Sequence, residues 1–372
     1  MIILRKLCII SFILVVLIFV TSCTAVEEEY IPEEPAYEIY EEFEIEEEIE
    51  EEEEEIDPFI GYSPSHLTGL WVPDEVANRR PFAVLMNNEP SALPQSAITN
   101  AEIVYEILAE GNITRLLAIF HVLDESIEKV GPLRSTRHYF APLVASHNAI
   151  FVHHGGSVAG YNHISTLGIN NIDGMVYDGS TIFRYAPRRQ ARGLEHSSYT
   201  SFANLLARAE TRNFELYTQN PPRIFNFFDE PTVLSNNPAQ TVNVRFTNTN
   251  VSRFEFNEQT NLYYKYIFGN PHMDYENDNQ VAVSNIIVQI TDISVIPGDA
   301  AGRRQVRLLG RGEGFLASMG SYIPIYWQRD SYADNTIFFD TNGNEINLNK
   351  GQTWISIVHL QPEILGGEEV DE

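Results

Sequence analysis

A chain of 372 residues with 44% hydrophobic and 11% aromatic content is long enough for more than one folded unit and too apolar to be disordered throughout. Its net charge of −28 is unevenly spread: residues 24–57 hold 18 Glu and one Asp without a Lys or Arg, the leader adds Arg5 and Lys6, and Pro58 onward keeps −11. A net acidic folded part excludes nucleic acid as a partner, because phosphate binding needs a basic face.

The first 22 residues read as a signal peptide. Arg5 and Lys6 precede a 14-residue apolar run, Leu7–Val20. As a helix that run rises only about 21 Å, short of a bilayer core of roughly 30 Å, so a permanent span is disfavoured. Val20-Thr21-Ser22-Cys23 resembles the lipobox of bacterial lipoproteins. Cleavage before Cys23 and acylation of its thiol are expected, with membrane lipid as the anchoring partner and the rest of the chain on the extracytoplasmic face. The only other cysteine, Cys8, lies in the leader, so the mature chain is expected to have no disulfide. Residues 23–57 then form an acidic tether, extended by like-charge repulsion over on the order of 100 Å. The tether either lifts the folded part through a polyanionic wall or serves as a solubilising tail.

From residue 58 to 220, apolar strand-like runs alternate with helical patterns, which predicts an α/β domain. Phe82–Met86, Leu116–Phe120 and Ile150–Val152 read as strands. Ala101–Ala109, Thr136–His147 behind a Ser135 cap, Val158–Leu167 and Ser198–Thr211 read as helices. Residues 221–238, with Pro221-Pro222 and Asn236–Pro238, read as a linker. From 239 to 365 short β-branched and aromatic runs are separated by turns such as Pro297-Gly298 and Asn342-Gly343, which predicts a mainly-β domain, sandwich or barrel-like. Residues 366–372 are an acidic tail.

In an open α/β sheet, ligands bind beyond the carboxyl ends of the strands. Asn87 and Asn88, His121 and Asp124, and His153 and His154 follow the three proposed strands. His153-His154-Gly155-Gly156-Ser157 runs from strand through glycines into a helix, and is either a backbone cradle for an anion or ordinary turn chemistry. Arg134 and Arg137, three apart at an expected helix start, call for an anion between them. That anion is either a ligand phosphate or carboxylate, or an internal acid such as Asp124, Glu106 or Glu110. Arg184, Arg188, Arg189 and Arg192 face only Glu195 within the loop Arg184–His196. Such a loop suits an anionic wall polymer, phospholipid headgroups or an acidic protein face, or is simply solvated. Arg303, Arg304, Arg307 and Arg311 make a weaker cluster near a predicted hairpin.

Enzyme signatures are absent. There is no His-Glu-x-x-His run and no Gly-x-Ser-x-Gly elbow, and Gly310–Gly314 sits among strands rather than before a helix. His153 and His154 point to opposite faces if both lie in the strand, which disfavours shared metal ligation. No catalytic residue, cofactor or metal is assigned.

Arg80-Pro81-Phe82-Ala83-Val84, Pro94-Gln95-Ser96, Glu110–Arg115, Gly131–Arg137 and His153–Ser157 together resemble the YerB-like lipoproteins. So do Gly269–Asp274, Asn285–Val288 and Gly351–Trp354 further on. The resemblance spans nearly the whole folded part. It implies an envelope lipoprotein of two domains, in a family defined as a domain of unknown function, with no established reaction. Asn87 stands where the family pattern usually has an acid, and Glu195-His196-Ser197 where it usually has Pro-His-Asn. The preferred expectation is a non-catalytic module that binds an anionic wall component or a wall-synthesis protein. The candidate ligand-binding residues are Asn88, Arg115, Arg134, Arg137, His153, His154, Gly155, Gly156, Ser157, Arg184 and His196. The competing expectation is a hydrolase or transferase with His153 or His154 as base and Arg134 and Arg137 on an anionic substrate.

Overall fold

A computed structural model of the chain describes residues 59–366. Expectations about the leader, the lipid site at Cys23, the acidic tether and the tail beyond Gly366 fall outside those residues. Ten strands of the described part form one mixed sheet. In chain order they are β1 (Phe82–Asn87), β2 (Ile103–Glu110), β3 (Ile113–Phe120), β4 (Ile150–His153), β5 (Asn171–Asp173), β6 (Asn285–Ile290), β7 (Gly310–Ser318), β8 (Ser321–Arg329), β9 (Ile337–Phe339) and β10 (Thr353–Val358). The spatial order is β9-β8-β7-β6-β10-β2-β3-β1-β4-β5. β10 runs parallel to both of its neighbours, with Thr353 opposite Asn285 of β6 on one side and Ile103 of β2 on the other. Strands from 58–220 and from 239–365 therefore meet in one continuous sheet.

Both faces of this sheet are covered, which explains why its central strands are apolar at nearly every position rather than alternating. On one face Phe202 and Leu205 of the helix Phe202–Thr211 pack over Phe82, Val84 and Met86 of β1. A second, six-stranded sheet, built around Thr241–Arg245, Val251–Asn257 and Leu262–Ile267, covers the same face further along, where the Phe254 ring lies 6.0 Å from that of Trp354. On the other face the helix Phe140–Ser146 buries Phe140, Leu143 and Val144 against Ala83, Leu85 and Phe151. The N-terminal half is thus α/β and the C-terminal half mainly β, as expected, and no sheet closes into a barrel among the described residues.

Three helix expectations are corrected. Ala101–Ala109 is not a helix: Ile103–Glu110 is β2, paired with β3 across Gly111-Asn112. Val104 and Leu108 face one core and Ile103 and Ile107 the other. A strand buried on both faces offers the same apolar run as a helix stripe, and periodicity alone does not separate them. Thr136–His147 begins its helix only at Phe140, and Ser135 is not its cap. The chain before it is extended because its backbone is already engaged: Asn87 N–H donates to Pro132 O, Arg134 N–H to Leu85 O and Thr136 N–H to Gly155 O. Ser198–Thr211 divides, with Ser198–Tyr199 pairing Phe183–Arg184 as a short ribbon and Ser201 capping the helix through its Oγ.

Candidate functional site

Beyond the carboxyl end of β4 the chain opens a cleft of about 560 Å³. Leu133, Arg134 and Ser135 form one wall, His154, Gly155 and Gly156 the floor, and Tyr161, Met175, Arg184, Leu194, Glu195 and Ser198 the remainder. Of the residues singled out from sequence, the cleft unites Arg134, His154, Gly155, Gly156 and Arg184.

His154 is held at both ring nitrogens. Arg184 Nη2 lies 3.0 Å from Nε2, and a guanidinium only donates, so Nε2 accepts and the ring proton sits on Nδ1. Nδ1–H then donates to Ser198 Oγ at 2.8 Å. Burial, reinforced by the Arg184 charge, holds the imidazole below its ordinary pKa and therefore neutral. Gly174 closes over this ring so tightly that a Cβ there would lie 2.2 Å from Nδ1. Gly174→Ala is expected to displace the imidazole and cost about 1–3 kcal/mol, read as a lower denaturant midpoint. An unchanged midpoint would refute the assigned fit.

His153 lies on the opposite side of the strand and is wholly internal. Its Nδ1–H donates to Gly155 O at 2.9 Å, and its Nε2 accepts from Asn171 Nδ2 at 3.1 Å. The glycine turn does cradle an anion, and the anion belongs to the chain. Asp173 Oδ1 accepts from Gly155 N–H at 2.8 Å and from Met175 N–H at 3.0 Å, while Tyr161 Oη–H donates to Oδ2 at 2.7 Å. Ser157 caps the helix Val158–Thr166, its Oγ accepting from Gly160 N–H.

The arginines separate into two classes. Arg115 and Arg137 share Glu110 as an internal counter-ion; Arg137 Nη2 lies 2.8 Å from Oε2, and Arg115 pairs with Oε1. A register shift between Leu108 and Glu110 in β2 accompanies this contact. Arg115 Nη1 and Arg137 Nη1 hold the backbone behind the cleft, at Ser135 O and Thr136 O respectively. Burial brings the Arg115 guanidinium down to about 9, with Arg137 adding to the shift and Glu110 opposing it. Arg188 is likewise consumed, donating to Leu93 O and Pro94 O while buried against Tyr275. The exposed basic loop is thereby reduced to Arg189 and Arg192 at the carboxyl end of the helix Ala186–Arg192. In the 303–311 cluster, outside the cleft, half-exposed Arg303 pairs with Asp299 and half-exposed Arg307 with the exposed Asp292.

Arg134 and Arg184 differ from Arg115, Arg137 and Arg188, and unlike Arg307 they line the cleft. Arg134 pairs with Glu195, whose side chain is 57% exposed, and Arg184 Nε lies 2.9 Å from Asp178 Oδ2, 38% exposed. Two cations thus flank the cleft, each held by a carboxylate that water already reaches. His196 sits beside this rim, its Nδ1 3.0 Å from Glu89 Oε1 and 3.1 Å from Asn87 Nδ2. Asn88 is elsewhere, buried in a polar network with Glu106 and Thr114. Ser198, Met175 and Asp178 were not singled out from the sequence. The signal available for Met175 was the second strand-to-helix turn, where Asp173 ends the strand and caps the helix Gly174–Tyr177.

Residues 67–215 match the N-terminal domain, and residues 242–355 the C-terminal domain, of a family described as protein of unknown function (DUF3048). The chain belongs to the DUF3048 family. It is 34% identical over 295 residues, 78% of this chain and 85% of the relative, to the putative lipoprotein YerB of Bacillus subtilis (strain 168). The crystal structure of YerB from Bacillus subtilis superposes with a TM-score of 0.70 at 31% identity, covering 81% of this chain and 99% of that one. This DUF3048 chain is therefore a homologue of a putative lipoprotein, and no helix among its described residues is long and apolar enough to cross a membrane.

Proposed function

We propose that this DUF3048 protein is a lipid-anchored extracytoplasmic binding module. Its cleft takes an anionic group of a cell-envelope component, a wall polymer or a wall-synthesis protein. One observation carries the reading: Arg134 and Arg184 line the cleft and are balanced by exposed carboxylates, while Arg115 and Arg137 are paired with Glu110 and Arg188 with backbone carbonyls inside the fold. A ligand carboxylate or phosphate that replaces Glu195 or Asp178 exchanges one charge-assisted contact for another and adds whatever else it touches. The lipobox-like Val20–Cys23 and the homology to a putative lipoprotein support the placement.

The hydrolase or transferase reading loses its parts. The lone pairs that a histidine base needs are taken by Asn171 on His153 and by Arg184 on His154. Arg137, the second arm of the expected substrate clamp, is committed to Glu110.

The test is co-sedimentation of the full chain, in detergent, with purified sacculi carrying their bound proteins. Changing both Arg134 and Arg184 to Gln is expected to lower the retained fraction by about fivefold or more, while Arg189→Gln with Arg192→Gln leaves it unchanged. Equal retention of all three folded proteins would overturn the proposal.

A further inference from the structure

The cleft's rim is apolar to a degree that a solvated loop cluster does not require. Met175 is 69% and Leu194 53% exposed, and both line the cleft together with Tyr161. Val176, next to Met175, is 70% exposed, and Val158, one turn before Tyr161 on the same helix, is 79% exposed. Three exposed apolar side chains therefore line the cleft beside two cations whose counter-ions are replaceable, and two more adjoin them in the chain. Exposed apolar side chains beside a charged centre are the anatomy of a binding surface. The floor between them is backbone, since Gly155 and Gly156 carry no side chain; internal packing keeps Gly156 bare, because a Cβ there would fall 2.6 Å from Thr136 Cγ2.

We infer that the anion this cleft selects is the side-chain carboxylate of an extended peptide segment of a partner protein, flanked on both sides by apolar residues. This rests on the anion-binding reading above and goes beyond it in naming the ligand's chemistry. The carboxylate takes the place of Glu195 on Arg134, or of Asp178 on Arg184. The flanking side chains cover Met175 and Val176 on one side and Leu194 on the other. A bare polyphosphate or a uniformly acidic polymer satisfies the arginines and leaves the rim wet. The observations therefore favour a peptide over a bare polyanion, because a peptide side chain and its neighbours bring charge and apolar contact together.

The experiment titrates the full chain in detergent with two fluorescein-labelled probes, Gly-Leu-Glu-Leu-Gly and Gly-Ser-Glu-Ser-Gly, by fluorescence anisotropy. The leucine probe is expected to bind on the order of tenfold tighter, and Met175→Ser with Val176→Ser to erase that advantage while the serine probe is unaffected. Leu194→Ser is a second, independent rim variant with the same expected loss. Arg134→Gln with Arg184→Gln is expected to weaken both probes. Equal affinity for the two probes, still abolished by the arginine changes, would overturn the peptide inference and leave the anion site standing. Preferential binding to vesicles containing acidic phospholipid would overturn it in favour of a headgroup. Failure of both probes also overturns it, and the sacculus assay then decides separately whether the anion site survives.

Discussion

Glu106→Ala is expected to destabilise the fold by about 3–5 kcal/mol, the cost of stranding a buried charge. Glu106 and Lys265 are both fully buried, with Lys265 Nζ 3.5 Å from Oε2. Around this pair, Oε2 accepts from Ser252 Oγ at 2.9 Å and from Trp354 Nε1 at 3.1 Å, and Oε1 from Asn88 Nδ2 at 2.9 Å and Thr114 Oγ at 3.0 Å. Lys265 also donates to Ser252 and lies 4.7 Å over the Trp354 ring. The network ties β2 to β10 and to the second sheet, so its loss loosens both halves at once. Removing the carboxylate leaves the ammonium with one hydroxyl and two aromatic rings, and burial already lowers the Lys265 pKa. Adding Lys265→Met to Glu106→Ala is therefore expected to recover part of the loss, since it removes the stranded charge, while the cavity and the donors of Asn88, Thr114 and Trp354 left without an acceptor keep the rest. Guanidinium unfolding of the single and double variants checks this. A double variant weaker than Glu106→Ala alone would refute the pairing.

Acidification should weaken the fold well before most carboxylates protonate. His66 is lowered to about 4, and His121 and His147 to about 3, in each case first by burial. The three are neighbours; the His66 and His121 rings are 4.7 Å apart, edge to face, and His66 also depresses His147. The unfolded chain titrates these rings near 6.5, so above that pH the native state bears no penalty. As pH falls from 6.5 toward 3–4, the unfolded chain takes up protons that the folded one refuses, and stability declines. Each ring contributes about 1 kcal/mol over the first unit, so about 3 kcal/mol in total is expected to go between pH 6.5 and 5.5. Glu102 works in the opposite sense. Burial raises its carboxyl to about 7 against the hydrogen bonds from His121 N–H and Val122 N–H, so acidification over the same interval returns about 1 kcal/mol. His138, lowered by burial to about 4, and His272, lowered well below its ordinary value by burial, add in the same direction, so a net fall of at least about 2 kcal/mol is the expected result, measured as guanidinium midpoints at the two pH values. Coincident midpoints would mean that these histidines are protonated in the native state.

The strands that sequence reading placed, Phe82–Met86, Leu116–Phe120 and Ile150–Val152, are short, rich in β-branched or aromatic residues and bounded by polar turns. The helix misread at Ala101–Ala109 shows the limit of that method, because an apolar run carries no record of how many of its faces are covered. The location of the cleft was legible because strand ends collect polar residues before helices. Its chemistry was not. The partner of the glycine turn, Asp173, and the hydroxyl on His154, from Ser198, come from elsewhere in the chain. Which arginines remain available depends on where Glu110, Glu195 and two backbone carbonyls fall in space. The Glu106 network was equally hidden, since Lys265 meets it only once two sheets are stacked.

The position of β10 sets when this molecule can finish folding. Thr353–Val358 is the last long strand to be synthesised, yet it fills the middle of the sheet, between residues that precede it by about 70 and 250 positions. Until it arrives, β2 and β6 each present an open hydrogen-bonding edge to whatever is nearby. A chain truncated before Thr353 loses the seam itself rather than a peripheral strand, and a C-terminal lesion there is as damaging as one at the centre of the fold. The parallel seam is also the slowest kind of contact to form, because its partners are so distant along the chain.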